Sequence, residues 1–182
     1  MEFILTLDKS LFYFINSFLS NSFFDWLMPI VTSQKNWNPI YIFLILFLII
    51  KYKKNGLIIS ILLILSVGLT NLIGDEIKHL VGRLRPCRSL ENLHLLVKCG
   101  PGKSFPSLHA ANNFAMAVIL SYFFRKNSWI FFSLASLVAL SRVFVGVHFP
   151  VDIIAGAILG SLISIIFIKL SQKLNFSKIK NY

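Results

Sequence analysis

The segment SRVFVGVHFPVD at 141–152 carries several reactive side chains in a chain that is otherwise mostly apolar. His148 precedes Asp152 by four residues, a spacing that places both side chains on one side of a helix that begins near the histidine. A carboxylate that accepts a proton from one ring nitrogen fixes the histidine tautomer and leaves the other nitrogen free to attack an electrophile. The same pair also occurs as a purely structural link between a helix and a loop.

A second cluster, KHLVGRLRP, contains the spacing K-x6-R-P formed by Lys78, Arg85 and the following proline. An arginine fork and a lysine point charge are natural ligands for phosphate oxygens. Asp75 lies three residues before Lys78 on the same helical face, so a salt bridge is the competing use of that lysine. We expect the other cations of this stretch to anchor the end of a helix to lipid headgroups: Arg83 and Arg88.

A third cluster, SFPSLHAANN, is expected to open a helix at Pro106, because proline favours an early helical position. Ser107 and His109 then lie in the first turn, where unpaired backbone N–H groups attract anions. Ser107 can donate its hydroxyl to a phosphate oxygen and His109 can transfer a proton, although a histidine there also occurs as an interfacial polar residue. Two amides one turn further on are expected to bond the site or a neighbouring helix: Asn112 and Asn113.

The composition predicts an all-α, polytopic integral membrane bundle that forms one domain over residues 1–182. Of the residues, 56% are hydrophobic and only 14% are charged, whereas a soluble domain carries roughly 25% charged residues. The net charge of +11 does not indicate nucleic-acid binding, because the cations flank apolar runs instead of forming one basic face. Five apolar runs are predicted to span the membrane: residues 38–51, 56–75, 106–124, 128–145 and 150–169.

Residues 1–37 contain Leu11, Phe14, Ile15 and Phe18 at helical spacing, with Asn16 and Ser17 off that face. This pattern favours an amphipathic helix that lies in the membrane interface, and a sixth span is the alternative. The fold is therefore expected to have five or six transmembrane helices.

The distribution of charges predicts the orientation. The loops at 51–54 and 125–126 and the tail after Lys169 hold nine basic residues, counting Lys169 itself, and no acidic ones. Because positive charges in short loops mark the cytoplasmic side, the three polar clusters are predicted to face the exterior. The long exterior connection contains Cys87 and Cys99, which in an oxidising compartment are candidates for a disulfide.

The three motifs K-x6-R-P, P-S-x-H and S-R-x5-H-x3-D, in this order over roughly residues 75–155, strongly resemble the type 2 phosphatidic acid phosphatase (PAP2) superfamily. The resemblance implies that His148 attacks phosphorus to form a phosphohistidine, while Asp152 orients its ring. It further implies that His109 protonates the leaving oxygen and then activates water. The implied ligands of the phosphate oxygens are Lys78, Arg85, Ser107 and Arg142.

This resemblance implies no metal and no cofactor, because cations and helix N–H groups neutralise the charge of the transition state. One departure stands in the second motif, where Leu108 replaces the usual glycine.

The implied substrate is a phosphorylated envelope lipid, undecaprenyl pyrophosphate or lipid A 1-phosphate, at the periplasmic face of a bacterial inner membrane. Phosphatidylglycerol phosphate and a lipid-to-lipid phosphotransferase are alternatives for the same site. A vanadate-holding haloperoxidase is disfavoured by the apolar spans. A non-enzymatic helical partner would use the small residues of GAILG at 156–160, although packing within the bundle explains these better. The oligomeric state stays open.

Overall fold

A computed structural model describes residues 2–173 and, over that range, shows helices and loops without β-strands. A π-helical turn at Phe14–Phe18 and a 3₁₀ turn at Arg125–Asn127 accompany the α-helices. The predicted all-α fold is confirmed, and the predicted cytoplasmic cations Lys178 and Lys180 lie outside the described residues. The α-helices are α1 Glu2–Tyr13, α2 Ser22–Thr32, α3 Gln34–Val81, α4 Pro86–Ser89, α5 Leu108–Phe123, α6 Ser128–Phe144 and α7 Pro150–Lys173.

Helix α3 consists of two helical halves that meet at Lys53, whose backbone is not helical (φ 51°, ψ −121°). The Gly56 backbone lies directly against the carbonyl of Leu48, although eight residues of straight helix would separate them by about 12 Å. The chain therefore reverses at the basic loop, as the two predicted spans require. The second half continues past the predicted end at residue 75 to Val81. The charged residues between 75 and 81 are compatible with a helix, and the helix ends where Gly82 adopts a left-handed conformation.

The start of α5 differs from the prediction, whereas α7 begins at the predicted residue 150 and not near His148. Helix α5 begins at Leu108 and not at Pro106, because Ser107 has an extended backbone (φ −76°, ψ 110°) and occupies the N-cap position. Helix α7 begins at Pro150, since proline suits the first helical position. His148 therefore lies in the loop before α7 and not within that helix.

Helix α5 lies at the centre of the bundle and packs against α3, α6 and α7. The small side chains of its alanines allow the neighbouring helices to pack close to its backbone. The backbones at Gly156 and Gly160 on α7 press against the carbonyls of Ser107 and Ala111, where any side chain would collide. The small residues of GAILG thus serve packing inside the bundle, as the sequence favoured.

Within residues 2–173, three segments have the length and apolarity of membrane spans: Gln34–Ser89, Arg125–Phe144 and Pro150–Lys173. Large apolar side chains point outward from them, for example Ile50 (76% exposed) and Trp129 (70% exposed). Exposing this much apolar surface to water is unfavourable, so the bundle belongs in lipid.

The N-terminal helices α1 and α2 contain 12 and 11 residues, so each is under 20 Å long and too short to cross a hydrocarbon core of about 30 Å alone. Leu11, Phe14 and Phe18 are exposed, whereas Asn16 is fully buried. The Asn16 amide donates to the carbonyls of His94 (2.7 Å) and Phe144 (2.8 Å). Three residues of the apolar face predicted for the membrane interface are therefore turned away from the protein, whereas the fourth, Ile15, is partly buried and packs against the core.

A disulfide joins Cys87 to Cys99, with their Cα atoms 6.0 Å apart. This confirms the hypothesis that the two cysteines pair. The bond connects α4 to the end of the long connection between α3 and α5.

Replacing both cysteines, Cys87→Ser with Cys99→Ser, is expected to lower the free energy of unfolding by about 3 kcal/mol, because closing a loop of this size restricts the unfolded chain. Thermal unfolding in detergent with and without reductant measures the change. Each single variant should lower the free energy of unfolding as much as the double variant does. Two thiols that alkylate in unfolded protein without reductant would contradict the pairing.

Candidate active site

The three polar clusters meet at one end of the bundle, because neighbouring long helices run in opposite directions. The C-terminal ends of α3 and α6 lie beside the N-terminal ends of α5 and α7. The Ser107 N–H, for example, donates to the carbonyl of Asp152 (3.0 Å). At the other end, the rings of Tyr52 and Phe124 are in contact.

His148 is buried (2% exposed) with its two ring nitrogens in different surroundings. Its Nδ1 lies 3.4 Å from Oδ2 of Asp152, and its Nε2 lies 3.1 Å from Nη1 of Arg85. Because an arginine can only donate, Nε2 must be the acceptor and Nδ1 must carry the proton. The Nε2 lone pair therefore points toward the arginine and away from the carboxylate.

Several buried polar groups at this end of the bundle lack partners among the described residues. Ser107 is fully buried at the N-cap of α5, and its hydroxyl oxygen has no hydrogen-bond partner within residues 2–173. The Nε atoms of Arg85 and Arg142 are buried and equally unpartnered. Buried polar atoms are rarely left unpaired, so hydroxyl and guanidinium groups together indicate a site for an anion.

Lys78 and His109 complete the cluster of positive and titratable groups. Both lie close enough to Arg85 and Arg142 for significant electrostatic interaction, and His109 also interacts with His148. No ion pair within residues 2–173 joins Lys78 to Asp75, although Asp75 lies near enough to interact electrostatically with the lysine. The structure thus brings together all seven residues selected from the sequence.

Asp152 has partners that the sequence did not indicate. The Nη1 atom of Arg83 lies 2.8 Å from Oδ1, and the Phe149 N–H donates to Oδ2 over 2.9 Å. The hydroxyl of Ser104 also donates to Oδ2. Arg83 was expected to anchor the helix to headgroups, and it instead neutralises the fully buried Asp152. Its guanidinium also lies over the ring of Phe149, 4.1 Å from the centroid.

A second carboxylate, Asp8 of α1, binds the other side of Arg83. Its Oδ2 pairs with Nη2 of that arginine, and its Oδ1 accepts the N–H of Val151 (2.9 Å). Asp8 is 2% exposed. The sequence signal available was an acid in the middle of a mostly apolar helix, and it did not identify a partner 75 residues away.

Thr32, at the end of α2, was also not anticipated. Its hydroxyl accepts a hydrogen bond from Nη1 of Arg142. Arg88, the other expected headgroup anchor, instead donates to the carbonyl of Gly100 (3.0 Å) within the connection. Each contact fixes the direction of an arginine side chain, which the sequence pattern did not predict.

Leu108 takes the place of the motif glycine without entering the anion site. Its side chain lies against the backbone of Gly74 on α3, where a larger residue would meet it. The first backbone N–H groups of α5 have no acceptor within the helix. The glycine on α3 thus accommodates the leucine on α5.

Comparison with known proteins agrees with this geometry. The model of the PAP2 superfamily matches residues 55–176, which include all three motifs. The chain belongs to the PAP2 superfamily.

Several relatives are named as lipid phosphatases. The chain is 31% identical over 187 residues to a lipid A 4'-phosphatase of Bacteroides thetaiotaomicron, covering 96% of this chain and 81% of the relative. It is 34% identical over 145 residues to an undecaprenyl-diphosphatase of Sulfolobus acidocaldarius, covering 79% and 68%. The prediction of a PAP2 lipid phosphatase, a membrane hydrolase of phosphoric esters, is confirmed.

Two crystal structures share the fold. LpxE of Aquifex aeolicus superposes with a TM-score of 0.77 at 29% identity, covering 90% of this chain and 95% of that one. A phosphatidylglycerolphosphate phosphatase of Bacillus subtilis superposes with a TM-score of 0.78 at 24% identity, covering 96% and 89%. At that identity the second likeness concerns the fold alone.

Removing the Arg83 charge with Arg83→Gln is expected to lower kcat roughly tenfold to a hundredfold, because Asp152 loses a charge-assisted hydrogen bond. KM should change little, since Arg83 faces the carboxylate and not the anion site. Phosphate release per folded enzyme measures both constants. Arg83→Lys should retain part of the wild-type kcat. Asp8→Asn should also lower kcat, by a smaller factor than Arg83→Gln. A higher KM at unchanged kcat would contradict this positioning role.

Burial lowers the pKa of His148 to about 4, and its hydrogen bond to Asp152 offsets only part of this effect. A lowered pKa favours the neutral ring, so His148 should keep its lone pair at every pH well above 4. Nitrogen-15 NMR of the imidazole in detergent should therefore show the neutral Nδ1–H tautomer from pH 8 down to pH 5. Comparison with His148→Gln assigns the signal, and a midpoint between pH 6 and 7 would refute the lowered value.

Proposed function

We propose that this protein removes a phosphate group from a phosphorylated envelope lipid through a phosphohistidine intermediate at His148. The observation that carries the proposal is the ring of unpartnered donors around the His148 lone pair. Ser107, Arg85 and Arg142 each present a buried donor atom without an acceptor. A tetrahedral anion satisfies all of them and places phosphorus in front of Nε2.

In the first step, Nε2 of His148 attacks phosphorus. A P–N bond forms as the P–O bond to the lipid breaks, and protonated His109 gives its proton to the leaving oxygen. Phosphate oxygens take over the N–H that Arg85 otherwise directs at Nε2, which frees the lone pair. Asp152 holds Nδ1–H and stabilises the charge that develops on the ring.

In the second step, neutral His109 takes a proton from water, whose oxygen attacks phosphorus. The P–N bond breaks, its electrons return to Nε2, and inorganic phosphate leaves. Throughout, Lys78 and both arginines neutralise the equatorial oxygens, a role for fixed charges that need no reorganisation. This chemistry requires no metal or cofactor.

The substrate lies in a membrane, and the relatives' names favour either a phosphorylated saccharolipid or a polyprenyl diphosphate. We place the site on the periplasmic face of a bacterial inner membrane. Basic residues at the opposite end, Lys51, Lys53 and Lys54, favour a cytoplasmic location there. The Cys87–Cys99 disulfide supports an oxidising compartment on the site side.

We further propose one domain with five spans: the two halves of α3, then α5, α6 and α7. Helices α1 and α2 then lie in the interface with Leu11, Phe14 and Phe18 in lipid. Since α1 contacts the site through Asp8, the site lies at headgroup depth. A lipid can reach it sideways from the outer leaflet.

Replacing the nucleophile, His148→Ala, is expected to abolish phosphate release, because no other side chain can take the phosphoryl group. His109→Ala should reduce kcat by about 10²–10⁴, the usual contribution of general acid–base catalysis. Labelled lipid should leave an alkali-stable, acid-labile phosphate on wild-type protein and none on His148→Ala protein.

The assay measures phosphate released from undecaprenyl pyrophosphate, lipid A and phosphatidylglycerol phosphate in EDTA, with His148→Ala as the blank. Activity in EDTA is expected, as is free phosphate without an acceptor lipid. Label that appears only on a second lipid would instead indicate a phosphotransferase. Turnover by His148→Ala protein equal to wild type would refute the assignment.

A further inference from the structure

A cavity of about 470 Å³ lies between the two halves of α3 and helix α5. Most of its wall is apolar, with Leu44, Leu63 and Val67 among the lining residues. One edge differs because it carries amide side chains, and the mechanism proposed above uses none of them. That edge is formed by Asn71, Asn112 and Asn113.

The amide edge lies about one to two helical turns along α5 and α3 from the phosphate site, and none of the seven site residues lines the cavity itself. Asn112 follows His109 by three residues, so it lies on the same side of α5 about 4.5 Å further along the axis. Asn71 precedes Lys78 by seven residues, which returns it to the same face of α3 about 10 Å away. A lipid whose phosphate lies between His109 and Lys78 therefore extends its next atoms toward these amides.

The amides are only partly satisfied. Asn112 Nδ2 donates to Asn71 Oδ1 (2.9 Å), while Asn112 Oδ1 is buried and lacks a partner within residues 2–173. Asn113 differs, because it donates to the carbonyl of His109 (2.9 Å) and accepts from the Tyr41 hydroxyl (3.3 Å). Asn112 thus offers an acceptor that awaits an N–H or O–H donor.

A second cavity of about 240 Å³ shares part of this wall. Tyr41, Asn113 and Met116 line both cavities, so the Tyr41–Asn113 hydrogen bond lies where they adjoin. The second cavity is lined almost entirely by apolar side chains, including Phe43 and Leu134. Two adjoining apolar spaces suit a lipid with more than one chain.

We propose that this amide edge recognises a lipid phosphate with several acyl chains and an amide N–H or hydroxyl close to its phosphate. The inference rests on the proposed function, because the same lipid phosphate must occupy the catalytic end. The donor bonds Asn112 Oδ1, and the chains occupy the two cavities. A polyprenyl chain has no such donor and would bury the Asn112 oxygen against hydrocarbon, which is unfavourable.

The test compares three phosphate monoesters in mixed detergent micelles at equal surface concentration. Ceramide 1-phosphate has two chains and an amide N–H, phosphatidic acid has two chains linked by esters, and undecaprenyl phosphate has one chain without a donor. Wild-type kcat/KM for ceramide 1-phosphate should exceed that for phosphatidic acid by about threefold to tenfold, the usual worth of one neutral hydrogen bond. Undecaprenyl phosphate should be the poorest substrate.

The substitution Asn112→Leu removes the acceptor while nearly keeping the volume. It should lower kcat/KM for ceramide 1-phosphate to the level of phosphatidic acid and raise kcat/KM for undecaprenyl phosphate, because no unpaired oxygen then lies against its chain. Asn127→Leu makes the same change at an exposed position at the other end of the bundle and should have no effect. Hydrolysis of para-nitrophenyl phosphate, which has no acyl chain, reports whether each variant has folded.

Equal wild-type values for ceramide 1-phosphate and phosphatidic acid, or a preference for undecaprenyl phosphate, would overturn the inference while leaving the phosphatase intact. If Asn112→Leu fails to fold, this wild-type comparison decides alone. Release of phosphate from any of these lipids by His148→Ala protein would instead overturn the proposed function.

Discussion

The active end of this bundle depends on keeping one buried carboxylate charged. Asp152 is fully buried, and an unpaired carboxylate in such a place costs several kcal/mol. Its oxygens therefore need donors, and these come from separate parts of the chain: Arg83 after α3, Ser104 before α5, and His148 and Phe149 before α7. Satisfying one charge thus joins the loops that carry all three motifs, and through Asp8 it also fixes α1.

In the neighbouring anion site the charges are positive, and the salt bridges within residues 2–173 do not include these cations. Arg85 and Arg142 repel each other and Lys78. Carbonyl and hydroxyl oxygens hold them in place, with Val147 accepting from Arg85 and Thr32 accepting from Arg142. These neutral acceptors orient the cations without cancelling their charge. The folded chain thus holds several positive groups close together in fixed positions, an arrangement of the kind that stabilises developing negative charge.

Hydrophobic periodicity was sufficient to predict the long helices and the end of the bundle at which the motifs meet, since both follow from local pattern. It could not separate Arg83 from Arg85. The chain leaves the helix at Gly82 (φ 64°), and the two arginines then bond different partners, Asp152 and His148. The accommodation of Leu108 by Gly74 likewise depends on contact between distant segments. Such contacts join residues that are distant in the sequence, so no local sequence pattern predicts them.

We propose that the motif residues contact the phosphate, and a phosphate group is common to every candidate lipid. Interactions equal for all substrates cannot discriminate between them, and selectivity must come from residues beyond the motifs. Asn71 and Asn112 lie within apolar helices, where polar side chains are costly and usually functional. Their mutual hydrogen bond offsets part of that cost, yet it leaves one buried oxygen unpaired. A lipid that carries a hydrogen-bond donor would pair this oxygen, whereas a lipid without a donor would leave it unpaired. The difference in binding free energy between the two lipids would then be that of one hydrogen bond.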